Sequence, residues 1–115
     1  NDNFKLPVGC FLIKALGALE RSNLVRQCLT KLSSVGVNVI SVTFDGAASN
    51  LAMASHLGCN LRNVNDVNFT TFFPHPVTNE PVVIFFYPCH ILKLVCYTFA
   101  DKKSVVDDCD QFVNF

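Results

Sequence analysis

The sequence predicts an α/β fold because strand-like and helix-like segments alternate with short joints. Residues 37–44 (VNVISVTF) are almost all apolar, β-branched or aromatic, which is typical of a strand that is buried on both faces and paired in parallel. Asp45 and Gly46 interrupt this run, and the alanine-rich residues 47–57 then predict a helix that ends at Gly58. With 115 residues, half of them hydrophobic, the chain has the length of one domain.

The first third of the chain predicts a strand followed by a helix. Residues 5–13 are rich in Val, Phe, Leu and Ile, and Pro7 places this strand near a sheet edge. From about Ala18 the apolar residues recur with helical spacing, and Gly36 marks the end of the helix. The apolar row consists of Leu24, Cys28 and Leu32.

The second half begins with an irregular segment. Residues 59–80 are rich in asparagine and proline and predict a loop. Residues 81–86 predict another strand, and Pro88 suits the first turn of a following helix. The acidic tail from Asp101 predicts one more short helix.

Charge argues against two classes of protein. Nine basic side chains balance nine acidic ones, which disfavours a free-standing nucleic-acid-binding module and a polybasic membrane-surface segment. Residues 82–99 reach membrane-spanning length, but Pro88, His90 and Lys93 interrupt them, so a membrane span is the disfavoured alternative. The six cysteines show neither CxxC nor zinc-finger spacing and indicate reduced thiols in an intracellular protein.

Asp45 is the strongest candidate for chemistry. At the carboxyl end of a parallel strand its side chain would lie in the crevice where α/β proteins bind ligands, and a carboxylate there can bind Mg²⁺. Two alternatives stay open: the carboxylate organises the turn into the next helix, or the backbone N–H groups of residues 47–49 bind a phosphate. His90 and Lys93 lie three residues apart on one predicted helix face and are either a second polar element or a solvated stripe. His56 and His75 are interpreted as surface or loop residues.

Several motifs, taken in order, are similar to those of one protein family. They are FKLPVGCFLI (4–13), VGVNVISVTFDGAASNLAMASHLGC (35–59), FPHPVTNEP (73–81) and PCHILKLV (88–95). In this combination the chain resembles P-element-type transposases, including the cellular relatives that carry a THAP zinc finger, over about residues 4–101. Tyr87 stands where such proteins usually have Asp, and Cys96 and Tyr97 stand where they usually have an Arg-Asn pair.

The resemblance implies a partial RNase H-like fold, a mixed sheet with flanking helices that lacks its first strands. Residues 1–86 would form the C-terminal part of the N-terminal half of that domain, and residues 87–115 would begin a GTP-binding insertion domain. In the family, three acidic residues hold two Mg²⁺ ions, and Asp45 matches the second of them. Gly46, Asn50, His90 and Lys93 are implied as residues that support the motif.

The implied activity of the parent protein is Mg²⁺-dependent DNA strand cleavage and transfer. Its partners would be transposon-end and target DNA and further copies of itself, in the nucleus and without a membrane. GTP would bind the intact parent but not this chain, which alone is expected to be inactive. The alternative is a domesticated, non-catalytic protein that binds DNA or protein.

Overall fold

The computed structural model describes residues 5–10 and 15–102, together with the backbone of two short strands in the tail. Three helices and five strands follow one another along these residues. They are α1 (Ala18–Ser34), β1 (Ser41–Phe44), α2 (Ala48–Leu57), β2 (Phe72–Pro74), β3 (Pro81–Phe86), α3 (Pro88–Lys102), β4 (Ser104–Val106) and β5 (Phe112–Asn114). The predicted α/β class is confirmed.

The main sheet has the strand order β1-β3-β2. β1 and β3 are parallel, with Ser41 opposite Val83 and Phe44 opposite Phe86, whereas β2 is antiparallel to β3. The predicted parallel pairing of the strand that precedes Asp45 is therefore confirmed. β4 and β5 form a separate antiparallel pair.

The second edge of β1 has no partner strand within the described part of the chain. Toward β3, the carbonyl of Ile40 accepts from the N–H of Val83 (3.0 Å) and the carbonyl of Phe44 accepts from the N–H of Tyr87 (2.9 Å). Since backbone groups alternate in direction along a strand, those of Ser41 and Thr43 face the other side. Among the described strands, β1 is thus an edge strand whose second edge is unpaired.

Helix α1 ends where the sequence predicts. At its start the Glu20 carboxylate accepts a hydrogen bond from the backbone N–H of Gly17 (2.8 Å). At its end Gly36 has φ = 82°, a left-handed conformation that glycine adopts without steric cost. Gly58 closes α2 in the same way, with φ = 122°.

The core lies between one face of the sheet and the helices α1 and α2. It consists of Leu29, Met53, Ala54, Leu57, Cys59, Phe73, Val82 and Ile84. Alternation along β3 shows the two faces, because Val82 and Ile84 are buried while Phe85 on the opposite face is 56% exposed. The prediction that the strand before Asp45 is buried on both faces is wrong, since Ser41 and Thr43 are exposed and the covering helices lie on one side only.

Three further predictions differ from the structure. Residues 5–10 form no strand, and the rest of that predicted strand lies outside the described residues. β2 falls inside the segment predicted as a loop, and the tail contains the strands β4 and β5 where a short helix was predicted. Among the described helices, none combines the length and apolar character that crossing a bilayer requires.

Candidate functional site

The candidate site lies where β1 and β3 end side by side. Asp45 follows β1 directly, and Tyr87 follows β3 directly. Because the two strands are parallel, both residues lie at the same edge of the sheet. Helices α2 and α3 begin within three residues of this edge, so their N-terminal ends flank Asp45.

The two carboxylate oxygens of Asp45 have different surroundings. Oδ1 accepts hydrogen bonds from the backbone N–H of Ala47 (3.1 Å) and from Nδ2 of Asn50 (2.6 Å). Oδ2 has no hydrogen-bond partner among the described residues. The bond to Ala47 is an Asx-type turn, so the turn-forming role that was left open in the sequence is present. That role uses one oxygen and leaves the other accessible.

These hydrogen bonds affect the charge of Asp45. The Ala47 N–H and the Asn50 amide hold the pKa of the Asp45 carboxyl below its usual 3.8, and the nearby charges of His90 and Arg21 lower it further. The carboxyl is therefore ionised at neutral pH.

A lowered pKa alone does not identify a site in this chain. The pKa of Asp66, in the loop after α2, is lowered in the same way by the N–H of Asn68 and the amide of Asn60. What distinguishes Asp45 is its place at the edge of the sheet, where α2 and α3 begin and the Arg21 guanidinium lies nearby.

Arg21 connects α1 to this site. Its Nη1 donates to Oδ1 of Asn50 (2.9 Å), and its Nε donates to the carbonyl of Leu16 (3.2 Å). Asn50 and His90, both chosen from the sequence motif, are thus close to Asp45, whereas the arginine was missed. It lies 29 residues from Asn50 in the chain, so only the packing of α1 against α2 brings it to the site.

The other candidate residues occupy different positions. Gly46 does not have a positive φ, and a Cβ atom there would lie 3.5 Å from Cδ1 of Leu94, an ordinary contact. The turn thus depends on the Asp45 side chain more than on glycine. His90 is half-buried in the first turn of α3, and Lys93 is exposed one turn further on.

The remaining histidines differ from each other. His56 is exposed at the end of α2, as predicted. His75 is 2% exposed, so its interpretation as an ordinary loop residue missed its burial. Predicting β2 from the sequence would have indicated that His75 is buried, because Phe73 and His75 are two residues apart and share the buried face of the sheet.

The described residues fit Mg²⁺ only in part. A carboxylate oxygen is the ligand that Mg²⁺ prefers, and Oδ2 of Asp45 is such an oxygen with an open position. No group of three His, Cys, Asp or Glu residues within the described ranges could hold a metal ion. Asp45 can therefore contribute one ligand, and a complete site needs carboxylates from elsewhere.

Comparison with known proteins places the chain in a family. Residues 1–58 match the family model described as TNP-like, RNase H N-terminal domain. The chain belongs to this family. It is 30% identical to human DNA transposase THAP9 over 113 residues. This matched region covers 97% of this chain and 12% of the relative.

A solved structure supports the same fold. The Drosophila P element transposase strand transfer complex matches with a TM-score of 0.65 and 20% identity, over 80% of this chain and 19% of that chain. The RNase H-like fold and the resemblance to P-element-type transposases are thereby confirmed. The chain spans only a small part of both relatives.

Proposed function

We propose that this chain supplies one metal-binding carboxylate, that of Asp45, to the catalytic centre of a P-element-type DNA transposase. The observation that carries the proposal is the open Oδ2 of an ionised carboxylate at the common carboxyl end of two parallel strands. Membership of the TNP-like RNase H family supports it.

The proposed chemistry is Mg²⁺-dependent cleavage and transfer of DNA strands. A pair of bound Mg²⁺ ions would activate the attacking oxygen and stabilise the leaving one. Asp45 would hold metal through Oδ2, while Lys93 in α3 would place positive charge beside the DNA phosphates and His90 in the first turn of α3 would lie near Asp45. Asn50 would support the carboxylate through its hydrogen bond to Oδ1, and Gly46 would belong to the turn from β1 into α2.

The wider context of the proposal follows from the family. We propose that the parent protein acts in the nucleus. Its partners would be transposon-end DNA, target DNA and further copies of itself. Residues 87–115 would begin a GTP-binding insertion domain, and GTP would bind only the intact parent.

A chimera tests the catalytic role. This chain would replace the matching segment of human DNA transposase THAP9, and excision and strand transfer would be assayed with the parent as reference. We expect Asp45→Asn to abolish both activities. Asp66→Asn is the matched control, because it removes an equally hydrogen-bonded carboxylate away from the sheet edge and should leave activity unchanged. Cleavage that survives Asp45→Asn would refute the assignment.

Tyr87 favours a second candidate, a domesticated non-catalytic protein that binds DNA or protein. Tyr87 is 54% exposed, and its N–H donates to the carbonyl of Phe44, the residue before Asp45. It therefore lies beside the candidate carboxylate, at a position where the family usually has Asp. A chimera that folds and binds DNA but does not cleave would support this candidate. Gain of cleavage on Tyr87→Asp would then identify the lost carboxylate as the cause.

A further inference from the structure

A chain of hydrogen bonds runs from the segment before α1 to the candidate carboxylate. Nε of Arg21 donates to the carbonyl of Leu16 (3.2 Å) and its Nη1 donates to Oδ1 of Asn50 (2.9 Å). Nδ2 of Asn50 then donates to Oδ1 of Asp45 (2.6 Å), which also accepts from the N–H of Ala47 (3.1 Å). Arg21 is the first donor in this chain of hydrogen bonds, and the carboxylate of Asp45 is its final acceptor.

The partners of Asn50 fix the orientation of its amide. A guanidinium group has only donors, so the atom that faces Arg21 has to be the amide oxygen. An ionised carboxylate has only acceptors, so the atom that faces Asp45 has to be the amide nitrogen. Rotating the amide by 180° would place its NH₂ group against the guanidinium of Arg21 and its oxygen against the carboxylate of Asp45, so both hydrogen bonds would be lost. Arg21 and Asp45 therefore favour the same orientation of the amide, and loss of Arg21 would leave the amide oxygen without its donor.

We propose that Arg21 and Asn50 are positioning residues that saturate Oδ1 of Asp45 and so present Oδ2 alone to a divalent cation. This inference rests on the proposed function for the identity of the ligand, but the hydrogen-bond chain can be tested without metal. The two hydrogen bonds to Oδ1 hold the carboxylate plane against rotation. A metal ion would therefore contact the carboxylate through Oδ2 alone. Loss of such supporting partners typically lowers metal affinity by about 10- to 100-fold.

Arg26 provides a matched control for Arg21. It lies five residues further along the same helix and also connects α1 to α2, but at the other end of α2. Its Nη2 donates to the carbonyls of His56 (3.0 Å) and Leu57 (3.2 Å). Arg26→Gln and Arg21→Gln remove the same charge and the same kind of contact between the helices. Only the second change touches the hydrogen-bond chain to Asp45.

The first experiment observes the Asn50 amide in the full chain labelled with ¹⁵N-asparagine. The short bond to Asp45 should shift one Nδ2 proton downfield from those of the other asparagines. We expect this signal to move to ordinary values in Arg21→Gln and in Asp45→Ala, and to stay in Arg26→Gln. A downfield signal that persists in Arg21→Gln would overturn the inference, because Asn50 would then be oriented without Arg21.

The second experiment uses Mn²⁺ alone as the probe and follows paramagnetic broadening of the resonances of Asp45. Arg21→Gln and Asn50→Leu should each need about tenfold more Mn²⁺ than the wild type or Arg26→Gln for the same broadening. Equal broadening in all variants would overturn the positioning role and leave the proposed function standing. Absence of specific broadening at Asp45 in the wild type would instead overturn the proposed function, and with it the metal-binding role of Oδ2.

Discussion

His75 holds the turn between β2 and β3, and its replacement should separate two effects of one side chain. Its Nδ1 accepts from the N–H groups of Val77 (3.2 Å) and Thr78 (3.3 Å), so the ring proton resides on Nε2. Nε2 is buried and has no hydrogen-bond partner among the residues that the structure describes. Each turn bond contributes about 0.5–1.5 kcal/mol, and an unsatisfied buried donor costs about 1–3 kcal/mol.

His75→Ala removes the unsatisfied donor, whereas His75→Asn and His75→Gln both replace it with a carboxamide NH₂. Asparagine places its Oδ1 where Nδ1 accepts, in the Asx-type turn that an Asn-Pro pair favours, whereas alanine has no acceptor. Since the two bonds are long, their sum lies toward the lower end of the range, and the free energy of unfolding of His75→Asn should be about 1–2 kcal/mol above that of His75→Gln, which carries the same NH₂ group. The measurement is urea-induced unfolding of these variants beside the wild type.

Glutamine at the same position gives the sharpest test of the reasoning. Its amide reaches the place of Nε2 and cannot accept from the N–H groups of Val77 and Thr78. We expect His75→Gln to be no more stable than His75→Ala. If His75→Gln is as stable as His75→Asn, the turn does not depend on an acceptor at Nδ1 and the argument fails.

Three further predictions concern acid stability, thiol reactivity and association. The pKa values of Asp45 and Asp66 are lowered by hydrogen bonds to each carboxylate, so their stabilising contribution is present above the usual 3.8 and is lost as the pH falls through the lowered values. The double variant Asp45→Asn/Asp66→Asn should therefore lose less stability between about pH 5 and about pH 2 in urea titrations. Burial raises the pKa of the Cys59 thiol to about 11, so at neutral pH a thiol reagent should modify it far more slowly than the exposed Cys89 by mass spectrometry. The free edge of β1 should make the chain associate with rising concentration in sedimentation experiments, and Thr43→Lys should weaken that association.

Each of these has a direct control. If the free energy of unfolding of the double variant falls with pH as steeply as that of the wild type, the two carboxylates are not the groups that lose their native hydrogen bonds. The two thiols should react alike in urea, and a fast Cys59 in the native chain would contradict its burial. Thr30→Lys makes the same change on the exposed side of α1, so equal weakening by both lysines would attribute the effect to net charge and not to the β1 edge.

Local patterns predicted the elements whose causes are local. An apolar i, i+4 row locates α1, and an alanine-rich run locates α2. Gly36 and Gly58, which follow them, have the positive φ that such helix ends require. β2 could not be found this way, because its three residues end in Pro74 and their strand conformation depends on pairing with β3. The free face of the sheet was also unpredictable from composition, since apolar residues fit a strand whether one face or both are covered.

The candidate site was predictable to the same extent. Asp45 was located because a carboxylate directly after a buried strand has a position that follows from chain direction alone. Its interaction with Asn50 spans five residues and fits one helix start, but the contact with Arg21 depends on how α1 crosses α2. Periodicity specifies which face of a helix is apolar and does not specify which polar residue at the margin of that face meets a partner.

Asp45 and Asp66 differ in how their hydrogen-bond donors are distributed over the two carboxylate oxygens. Both accept a backbone N–H two residues ahead and an asparagine amide, and both have a lowered pKa. In Asp66 the two donors are divided between Oδ1 and Oδ2, so neither oxygen is left without a protein partner. In Asp45 both donors converge on Oδ1, and the arginine that orients Asn50 makes this arrangement the one that satisfies every group. Asp45 therefore differs from Asp66 in two respects, its place at the end of β1 and the convergence of its donors on one oxygen, and the second is the one that the positioning of Asn50 by Arg21 would explain.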